Sequence, residues 1–426
     1  MIFQCHPSKL EGEVDIPASK SHTIRAVVLA ALADGTSVIH NPLLSADAMS
    51  AADAVTAFGA EVERDIGTWT ISGVGADIKP RRSEIDVGNS GTTLRILMSV
   101  AALMPEDCEI RFTGDEQIQT RPAGPLLKAL NDLGANAVSE RGNDCPPYRI
   151  RGRLRGGITA VEAKSSQYLT SLLIACPLAA GNTVIDLPLL YEAQYVEMTL
   201  WWLRNQNIRF EHDNLRHFEI PGGQAYTPFE RRIPGDFSSA TFFFGAGAIS
   251  ENDVTCRGLD ITDTQGDKAV LDYLRAMGAD VDVSDDAGIR VRGGSLRGIE
   301  VDMNDTPDAL PVMAVLGCFA EGQTRLCNVA QARMKETDRI TVMAQELRKM
   351  GAQIDEHKDG MTIHQSNLRG ATVRGHGDHR VVMALALAGM SCPGETIIDT
   401  AEAAGITFPG FKTLMTELGG DIVSVE

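Results

Sequence analysis

The stretch Met350-Gly351-Ala352-Gln353-Ile354 joins the end of an amphipathic segment to a short alternating strand, and it recurs along the chain of 426 residues. Further copies occupy 58–62, 133–137, 277–281 and 418–422, and a degenerate copy at 206–210 has Asn207 in place of glycine. Glycine and asparagine readily adopt the left-handed backbone conformation that ends many helices. Positions 59, 134, 207, 278, 351 and 419 are separated by 75, 73, 71, 73 and 68 residues, which predicts six structural repeats.

A second element alternates with the first and consists of a small apolar helix, a turn and a strand. Its helices are predicted at 27–33, 172–180, 313–320 and 383–390, with less regular copies at 94–103 and 241–249. Helices that are apolar on all sides must be buried, whereas the helices before the glycines are amphipathic and expose one face. Each repeat therefore reads as strand, buried helix, strand, outer helix and one or two strands. Six such units predict two α/β domains of three repeats, because solenoid repeats are usually shorter, at roughly 20–50 residues.

Composition and length are typical of a globular protein with two cores. Hydrophobic residues make up 43% of the chain and charged residues 23%. No apolar run approaches the roughly 18 residues that a membrane helix needs, and the first residues lack the pattern of a signal peptide. The eight cysteines form no CxxC pair, so they are expected to be reduced residues of a cytoplasmic protein rather than disulfide or zinc ligands.

The net charge of −18 argues against a nucleic-acid partner, since proteins that bind nucleic acids usually carry a basic surface. The chain also has neither a P-loop nor a GxGxxG motif after a strand, which makes nucleotide binding a weak hypothesis. An anionic small molecule would need a local cluster of cations that overcomes the acidic surroundings.

Such a cluster is predicted at Gln331-Ala332-Arg333-Met334-Lys335-Glu336-Thr337-Asp338-Arg339, just before an amphipathic helix. Thr337 or Asp338 is the expected N-cap, which puts Arg339 in the first turn, where the helix dipole disfavours a cation. We therefore expect an anion to join Arg339. A solvated charged turn before a surface helix is the alternative reading of this stretch alone.

Polar motifs also precede the predicted buried helices. They occupy 19–25, 88–95, 164–167, 236–239, 304–308 and 377–380. Helix capping by Ser, Thr and Asp is a sufficient explanation for any one of them. It does not explain the cations at helix starts, where the dipole favours acids; these are Lys20, Arg25, Arg95, Lys164 and Arg380. We infer a site for small polyanions between the two domains, with a closing motion.

These motifs, in this order, resemble those of the EPSP synthase family of enolpyruvyl transferases over essentially the whole chain. The matching residues are Pro17-Ala18-Ser19-Lys20-Ser21 with Arg25, Gly88-Asn89-Ser90-Gly91-Thr92 with Arg95, Thr120-Arg121-Pro122, Ser165-Ser166-Gln167, Gly235-Asp236, Pro307-Asp308, Lys335-Glu336-Thr337-Asp338-Arg339, Asp378-His379-Arg380 and Thr407-Phe408-Pro409.

The resemblance implies a two-domain inside-out α/β barrel with six βαβαββ repeats, three in each domain. It implies domains formed by 1–17 with 235–426 and by 18–234, with the active site in the cleft between them. The implied reaction transfers the enolpyruvyl group of phosphoenolpyruvate to the 5-hydroxyl of shikimate 3-phosphate and releases phosphate through a tetrahedral intermediate. Neither a metal nor a cofactor is implied, and a cytoplasmic monomer is expected.

The resemblance also implies roles for individual residues. Asp308 is the expected base near the attacking hydroxyl, Glu336 the acid that protonates the methylene carbon, and Lys20 a second participant in catalysis. The expected contacts of shikimate 3-phosphate are Lys20, Ser21, Arg25, Ser165, Ser166, Gln167, Tyr195, Asp308, Gln331 and Lys335. The expected contacts of phosphoenolpyruvate are Lys20, Asn89, Gly91, Arg121, Gln167, Arg339 and Arg380.

Three positions depart from the commonest family pattern. Glu192 stands where many members have serine beside the substrate phosphate, which suggests a shifted loop at 191–195. Gln331 replaces an asparagine, and Ile406 stands where glyphosate-sensitive members often have a lysine that faces phosphoenolpyruvate.

Two alternative functions remain open from the sequence. The related enzymes that act on UDP-N-acetylglucosamine typically carry Lys-Asn where this chain has Lys20-Ser21, and they carry a reactive cysteine in a loop that here, at 115–121, has none. A catalytically inactive, anion-binding relative is the other alternative, and the presence of Lys20, Asp308 and Glu336 argues against it.

Overall fold

The computed structural model describes residues 1–284 and 287–426. The chain divides into two compact units, one formed by Met1–Ser19 with Pro234–Glu426 and the other by Lys20–Ile233. We call them the split unit and the continuous unit. The domain limits and the interdomain site drawn from the family resemblance stay predictions.

Strands and helices alternate along the described residues. In the first half of the chain the strands are β1 (Ile2–His6), β2 (Glu11–Asp15), β3 (Thr36–His40), β4 (Glu61–Asp65), β5 (Thr68–Ser72), β6 (Glu84–Asp86), β7 (Glu109–Thr113), β8 (Asn136–Ser139), β9 (Tyr148–Arg151), β10 (Gly157–Ala163), β11 (Thr183–Leu190), β12 (Glu211–Asp213) and β13 (His217–Ile220). In the second half they are β14 (Glu230–Arg232), β15 (Asp253–Arg257), β16 (Asp280–Ser284), β17 (Gly288–Arg292), β18 (Glu300–Asp302), β19 (Gln323–Cys327), β20 (Gln353–His357), β21 (Gly360–His364), β22 (Thr372–Val373), β23 (Thr396–Ile398) and β24 (Asp421–Val425).

The α-helices fall into two alternating groups, inner and outer. The inner helices are α1 (Lys20–Leu32), α3 (Gly91–Ala101), α5 (Ser166–Ala175), α7 (Phe237–Ala248), α9 (Leu310–Phe319) and α11 (His379–Met390). The outer helices are α2 (Ala46–Val55), α4 (Gly124–Asp132), α6 (Ala193–Asn205), α8 (Val270–Met277), α10 (Arg339–Lys349) and α12 (Phe411–Glu417).

In the described ranges 1–284 and 287–426, six four-stranded sheets confirm the predicted sixfold repeat. In the regular case of β6, β7, β8 and β9, the sheet order is β6-β7-β9-β8, with one parallel pair and two antiparallel pairs. The inner helix α3 connects the parallel pair, and the outer helix α4 leads into the antiparallel hairpin. The sheets β10-β11-β13-β12 and β18-β19-β21-β20 have the same arrangement. Each of these three repeats is therefore a continuous βαβαββ unit.

The other three sheets use strands that are distant in sequence. β2 lies just before α1 but pairs with β15 in the split unit, and β14 lies just before α7 but pairs with β3 in the continuous unit. β1 lies between β23 and β24, where it fills the position that the last strand of a repeat would occupy.

The inner helices form the core of each unit, as their all-round apolar pattern predicts. Every residue of α7 and of α11 is buried, and α9 is buried from Leu310 to Cys318. Glycines let these helices approach their sheets closely. A methyl group at Gly247 would lie 2.5 Å from the carbonyl oxygen of Val291, and one at Gly389 would lie 2.7 Å from Cβ of Thr396.

The turns after the outer helices also confirm the sequence pattern. Gly59, Gly134, Gly278, Gly351 and Gly419 all have left-handed backbones with φ between 95° and 103°, and the degenerate copy has Asn207 at φ 55°. These residues end the outer helix and direct the chain into the next strand.

The predicted starts of the inner helices were wrong by several residues. The polar motifs were expected to precede the helices, yet α1 begins at Lys20, α3 at Gly91 and α11 at His379. The motifs therefore form the first helical turns. Capping explains the difference, since the side chains of Ser90 and Asp378 accept hydrogen bonds from the following amides and start the helix early.

Across 1–284 and 287–426, the helices are either too short or too polar to cross a lipid bilayer.

Candidate active site

A buried arginine with three carboxylate partners lies at the start of α10 in the split unit. The side chain of Arg339 is 1% exposed. It donates hydrogen bonds to Asp308 Oδ1 at 2.8 Å, Glu336 Oε2 at 2.5 Å and Asp378 Oδ2 at 2.9 Å. The carboxylates of Asp308 and Asp378 come from just before the inner helices α9 and α11 of neighbouring repeats, and that of Glu336 comes from just before the outer helix α10.

Asp308 has cations on both of its oxygens. Arg380 Nη2 lies 3.1 Å from Oδ2, and Lys335 Nζ lies 3.7 Å from Oδ1, the oxygen that also accepts from Arg339. Burial raises the pKa of this carboxyl, but Arg380, Lys335 and Arg339 outweigh burial and hold the pKa of Asp308 well below its usual range. Asp308 is therefore an ionised hydrogen-bond acceptor. We call Asp308, Lys335, Glu336, Arg339, Asp378 and Arg380 the Arg339 cluster.

Asp378 connects the cluster to the helix framework. It caps α11 by accepting from the amide of Arg380 at 2.9 Å, and it accepts from the hydroxyl of Thr337 at 3.0 Å. Burial raises the pKa of Asp378, but Arg339 outweighs it and the pKa is lowered. One carboxylate thus orients two helix starts and the guanidinium between them.

The electrostatics of Arg339 differ from the sequence prediction. Its place in the first turn of α10 is confirmed, and Asp338 is the N-cap, accepting from the amide of Thr341 at 3.0 Å. Three carboxylates of the protein surround Arg339, which the sequence did not predict, and the expectation that an external anion also joins it stays a prediction. Glu336 belongs to the nine-residue stretch itself, but Asp308 and Asp378 lie 31 and 39 positions from Arg339, so a reading of that stretch could not include them.

Gln331 lies in the 3₁₀ turn before the cluster and is 2% exposed. Its Nε2 donates to the carbonyl of Asn304 at 2.9 Å. Its Oε1 is buried and has no hydrogen-bond partner within 1–284 and 287–426. A buried acceptor without a donor is costly, so this oxygen suits a donor supplied by a ligand.

In the continuous unit, Lys20 forms the first residue of α1 and pairs with Asp47 of α2. Its Nζ lies 3.1 Å from Asp47 Oδ2, and the two side chains are 19% and 7% exposed. The ion pair holds the amine at the helix start. Ser21 follows, and its carbonyl accepts from Arg25 Nη1 at 3.0 Å.

Arg25 is buried and hydrogen-bonded to groups of α1, α5 and α6. Its Nε donates to Thr199 Oγ1 at 2.9 Å and its Nη2 to the carbonyl of Tyr195 at 3.1 Å. Burial lowers the pKa of Arg25 to about 10, which leaves it charged at neutral pH. Arg25 and Tyr195, both predicted substrate contacts, are thus in direct contact.

The start of α5 carries the predicted phosphate cradle. Ser165 is the N-cap, and its Oγ accepts from the amide of Gln167 at 3.4 Å. The amide and hydroxyl of Ser166 both donate to Glu192 Oε2, at 3.2 Å and 2.8 Å. A carboxylate of the chain therefore lies at the helix start where an anionic ligand was predicted.

Gln167 joins α5 to the start of α3. Its Oε1 accepts from Arg95 Nη1 at 2.9 Å, and its Nε2 donates to Thr92 Oγ1 at 3.0 Å. Gly91 makes room for the guanidinium groups beside it, since a methyl group there would lie 2.6 Å from Nη1 of Arg95 and 3.0 Å from Nη1 of Arg121.

Asn89 faces the loop after β7. Its Nδ2 donates to Asp115 Oδ2 at 2.6 Å and to Gln117 Oε1 at 2.8 Å. These bonds fix the loop that leads to Arg121. A direct contact of Asn89 with phosphoenolpyruvate stays a prediction.

Among the described residues, no group of three or more His, Cys, Asp or Glu side chains is arranged to hold a metal ion. The expected absence of a metal stays a prediction.

Comparisons with known proteins give one family. The family model for EPSP synthase (3-phosphoshikimate 1-carboxyvinyltransferase) matches residues 5–415. The 3-phosphoshikimate 1-carboxyvinyltransferase of Ruminiclostridium cellulolyticum is 51% identical over 422 residues, with 99% of each chain covered. The same enzyme of Acetivibrio thermocellus is 50% identical over 426 residues and covers both chains completely. The chain belongs to the EPSP synthase family.

Two solved structures share the fold described above. The EPSP synthase of Acinetobacter baumannii superposes with a TM-score of 0.82 at 28% identity, over 99% of this chain and 100% of that one. The enolpyruvyl transferase NikO of Streptomyces tendae superposes with a TM-score of 0.79 at 19% identity, which shows a common fold alone. The predicted fold class is confirmed.

Sequence reasoning missed three carboxylates that contact family motif residues: Asp47, Glu192 as a partner of Ser166, and Asp378 as a partner of Arg339. Asp47 lies in the first turn of α2, and its sequence shows only an acid near a helix start. Asp378 was visible within the Asp378-His379-Arg380 motif, but its contact with Arg339 was not. The signal that could have pointed to Asp47 and Asp378 is the surplus of cations at helix starts, since Lys20 and Arg339 pair with them.

Proposed function

We propose that this protein transfers the enolpyruvyl group of phosphoenolpyruvate to the 5-hydroxyl of shikimate 3-phosphate, with release of phosphate. The observation that carries the proposal is the 51% identity to a 3-phosphoshikimate 1-carboxyvinyltransferase over 99% of both chains. The cations at the starts of inner and outer helices support it, because both substrates are small polyanions.

Asp308 is proposed as the base for the 5-hydroxyl. Its low pKa makes it an ionised acceptor that can orient the hydroxyl but a weak base before substrate binds. Phosphoenolpyruvate would bring negative charge to Arg339 and Arg380, the cations that lower this pKa. Neutralising them raises the basicity of Asp308, so proton abstraction is favoured when both substrates are bound.

Glu336 is proposed as the acid for the methylene carbon of phosphoenolpyruvate, and Lys20 as a second participant. Glu336 shares Arg339 with Asp308, and its side chain is 12% exposed. An acid and a base held by the same guanidinium are fixed relative to each other, which suits addition followed by elimination.

The binding residues are proposed from the family resemblance. Shikimate 3-phosphate is proposed to contact Lys20, Ser21, Arg25, Ser165, Ser166, Gln167, Tyr195, Asp308, Gln331 and Lys335. Phosphoenolpyruvate is proposed to contact Lys20, Asn89, Gly91, Gln167 and the arginines Arg121, Arg339 and Arg380. A planar guanidinium can bind carboxylate or phosphate with two parallel hydrogen bonds.

The remaining parts of the proposal concern the setting of the enzyme. We expect a cytoplasmic monomer that binds these two small anions and neither nucleic acid nor membrane, and that needs neither a metal nor a cofactor. Size-exclusion chromatography with light scattering tests the oligomeric state, and dialysis against chelator followed by assay tests the independence from metal.

A coupled assay of phosphate release tests the function. The protein is incubated with phosphoenolpyruvate and either shikimate 3-phosphate or UDP-N-acetylglucosamine. Release only with shikimate 3-phosphate supports the proposal. Release only with the nucleotide sugar identifies the related activity, and release with neither identifies an anion-binding relative without activity.

A further inference from the structure

The start of α5 holds an anion that belongs to the protein itself. One oxygen of Glu192, Oε2, accepts from the amide of Ser166 at 3.2 Å and from its hydroxyl at 2.8 Å. Glu192 and Ser166 are each 2% exposed. The contact is therefore a buried, charge-assisted interaction rather than a surface contact.

The amides of Ser166, Gln167 and Tyr168 in the first turn of α5 have partners in this arrangement. The amide of Ser166 donates to Glu192, that of Gln167 to Ser165 Oγ at 3.4 Å, and that of Tyr168 to the carbonyl of Ser165 at 3.2 Å. A phosphate that binds at this helix start would need the amide and hydroxyl of Ser166. These are the two donors that Glu192 uses.

Glu192 reaches this place from a two-residue connection. β11 ends at Leu190 and α6 begins at Ala193, with Tyr191 and Glu192 between them. The backbone of Glu192 is left-handed, with φ 59° and ψ 46°. As the N-cap of α6 its side chain makes no capping bond, and it extends to α5 instead. The side chain of Glu192 therefore accepts hydrogen bonds at the start of α5 and does not cap α6.

We propose that Glu192 is an internal anion on the phosphate site of α5, and that the phosphate of shikimate 3-phosphate must displace its carboxylate in order to bind. This inference rests on the proposed function, in which Ser165, Ser166 and Gln167 bind that phosphate. Two anions cannot share the two donors of Ser166, so the carboxylate lowers the affinity for the substrate phosphate. Before substrate arrives, the same carboxylate satisfies the helix start.

Binding of shikimate 3-phosphate, measured by titration calorimetry without phosphoenolpyruvate, tests the inference. Glu192→Gln keeps the shape and an acceptor oxygen but removes the charge. Glu192→Asn shortens the side chain, and asparagine tolerates the left-handed backbone. Glu197→Gln is the matched control, because Glu197 is an acid of the same helix with a 38% exposed side chain. Shikimate, which lacks the phosphate, is the control ligand.

We expect both Glu192 variants to bind shikimate 3-phosphate about tenfold more tightly than the wild type, the ratio expected when a competing charge-assisted hydrogen bond is removed. Binding of shikimate and the behaviour of Glu197→Gln should not change. Inorganic phosphate should compete with shikimate 3-phosphate more strongly in the Glu192 variants than in the wild type.

Unchanged or weaker binding of shikimate 3-phosphate in both Glu192 variants would overturn the inference and make Glu192 a residue that orients Ser166. Equal tightening of shikimate would also overturn it, since the effect would not act through the phosphate. In both cases turnover by the wild type leaves the proposed function intact. If the wild type neither binds shikimate 3-phosphate nor releases phosphate, the proposed function fails and this inference fails with it.

Discussion

Asp308 illustrates how one residue depends on its charged neighbours. Its two oxygens face Arg339, Arg380 and Lys335, and the pKa of Asp308 is held far below the ordinary range although burial alone would raise it. A carboxylate in this position has a charge that is stabilised by the protein and a basicity that responds to whatever neutralises the cations.

Neutral variants of the proposed base and acid should lose turnover. Asp308→Asn and Glu336→Gln should each lower kcat by roughly 10²–10⁴-fold, the usual contribution of general acid–base catalysis. Shikimate 3-phosphate should still bind, because most of its proposed contacts are untouched. Steady-state kinetics together with calorimetry measure both properties.

The control for both variants is Glu300→Gln, since Glu300 lies on β18 of the same unit with a 65% exposed side chain. Its kcat should match that of the wild type. Near wild-type kcat in Asp308→Asn or in Glu336→Gln would contradict the role assigned to that residue.

Ile406 is the residue at which a cation is missing from the family pattern. It ends the 3₁₀ segment Ala401–Ile406 and packs, partly buried, against the core of the split unit. A missing cation in a partly desolvated site weakens binding of an anion by about 1–3 kcal/mol. We therefore expect Ile406→Lys to lower the KM for phosphoenolpyruvate and to increase inhibition by glyphosate, an anion that competes for the same site.

Lys412, at the start of α12, is the cation that could already compensate for Ile406. Lys412→Met distinguishes the two cases. If Ile406→Lys changes neither constant while Lys412→Met raises the KM for phosphoenolpyruvate, the missing lysine is already replaced and the expectation for Ile406 is wrong.

At the scale of elements, the fold depends on how closely the inner helices approach their sheets. Gly247 of α7, Gly317 of α9 and Gly389 of α11 occur near the end of each inner helix of the split unit, and each faces its own sheet. Methyl groups there would lie 2.5 Å, 3.0 Å and 2.7 Å from the nearest sheet atoms. In all three repeats, a glycine without a side chain lets the inner helix pack closely against its sheet.

Gly247→Ala should destabilise the protein although alanine favours helices more than glycine does. The new methyl group would meet the backbone carbonyl of Val291, which cannot move without shifting β17. The expected loss in the free energy of unfolding is about 1–3 kcal/mol, as for other overpacked cores. Urea unfolding followed by circular dichroism measures it.

Gly294→Ala is the matched control for Gly247→Ala. No atom lies within 4 Å of a methyl group placed at Gly294, so its stability should be equal to or slightly above that of the wild type. Equal stability of the two variants would show that α7 can move away from its sheet at little cost.

At the scale of the whole molecule, the two ends of the chain belong to one sheet. β1 pairs with β24 over five residues and with β23 over three, and it carries Phe3 and Cys5 into the core at 3% and 0% exposure. The last repeat therefore cannot be completed until residues from the N terminus are added to it.

Removal of residues 1–6 should destabilise the last two strands of the chain, β23 and β24, which pair with β1. β24 loses its only partner in that sheet among the described residues, and the buried side chains of Phe3 and Cys5 are lost. Hydrogen exchange should show reduced protection of the amides of β23 and β24. Phe3→Ala should reduce the same protection to a smaller extent, with a loss of about 3–5 kcal/mol in the free energy of unfolding.

The strands β7 and β9 of the continuous unit provide the internal control for this exchange experiment. Their amide protection should be unchanged by the deletion. Unchanged protection of β23 and β24 would contradict the expectation and show that the last repeat is stable without β1.

The sequence by itself determined the repeats, the burial of the inner helices and the left-handed turns such as those at Gly351 and Asn207. These properties are local, because the backbone conformation of a turn and the apolar pattern of a helix depend on neighbouring residues. The motif resemblance added the family and the proposed roles of the site residues. The roles of the individual site residues, including that of Asn89, stay predictions.

Tertiary structure alone decided which side chains meet. The contacts of Arg339 with Asp378, of Lys20 with Asp47 and of Ser166 with Glu192 join residues that lie 39, 27 and 26 positions apart. No local rule relates such positions, and the separations are set by how inner and outer helices of one repeat or its neighbour pack. The sequence showed which charged residues belong to the site. Only the packing of the helices determined which residues they contact, and therefore how their pKa values shift. Packing also placed the carboxylate of Glu192 at the start of α5.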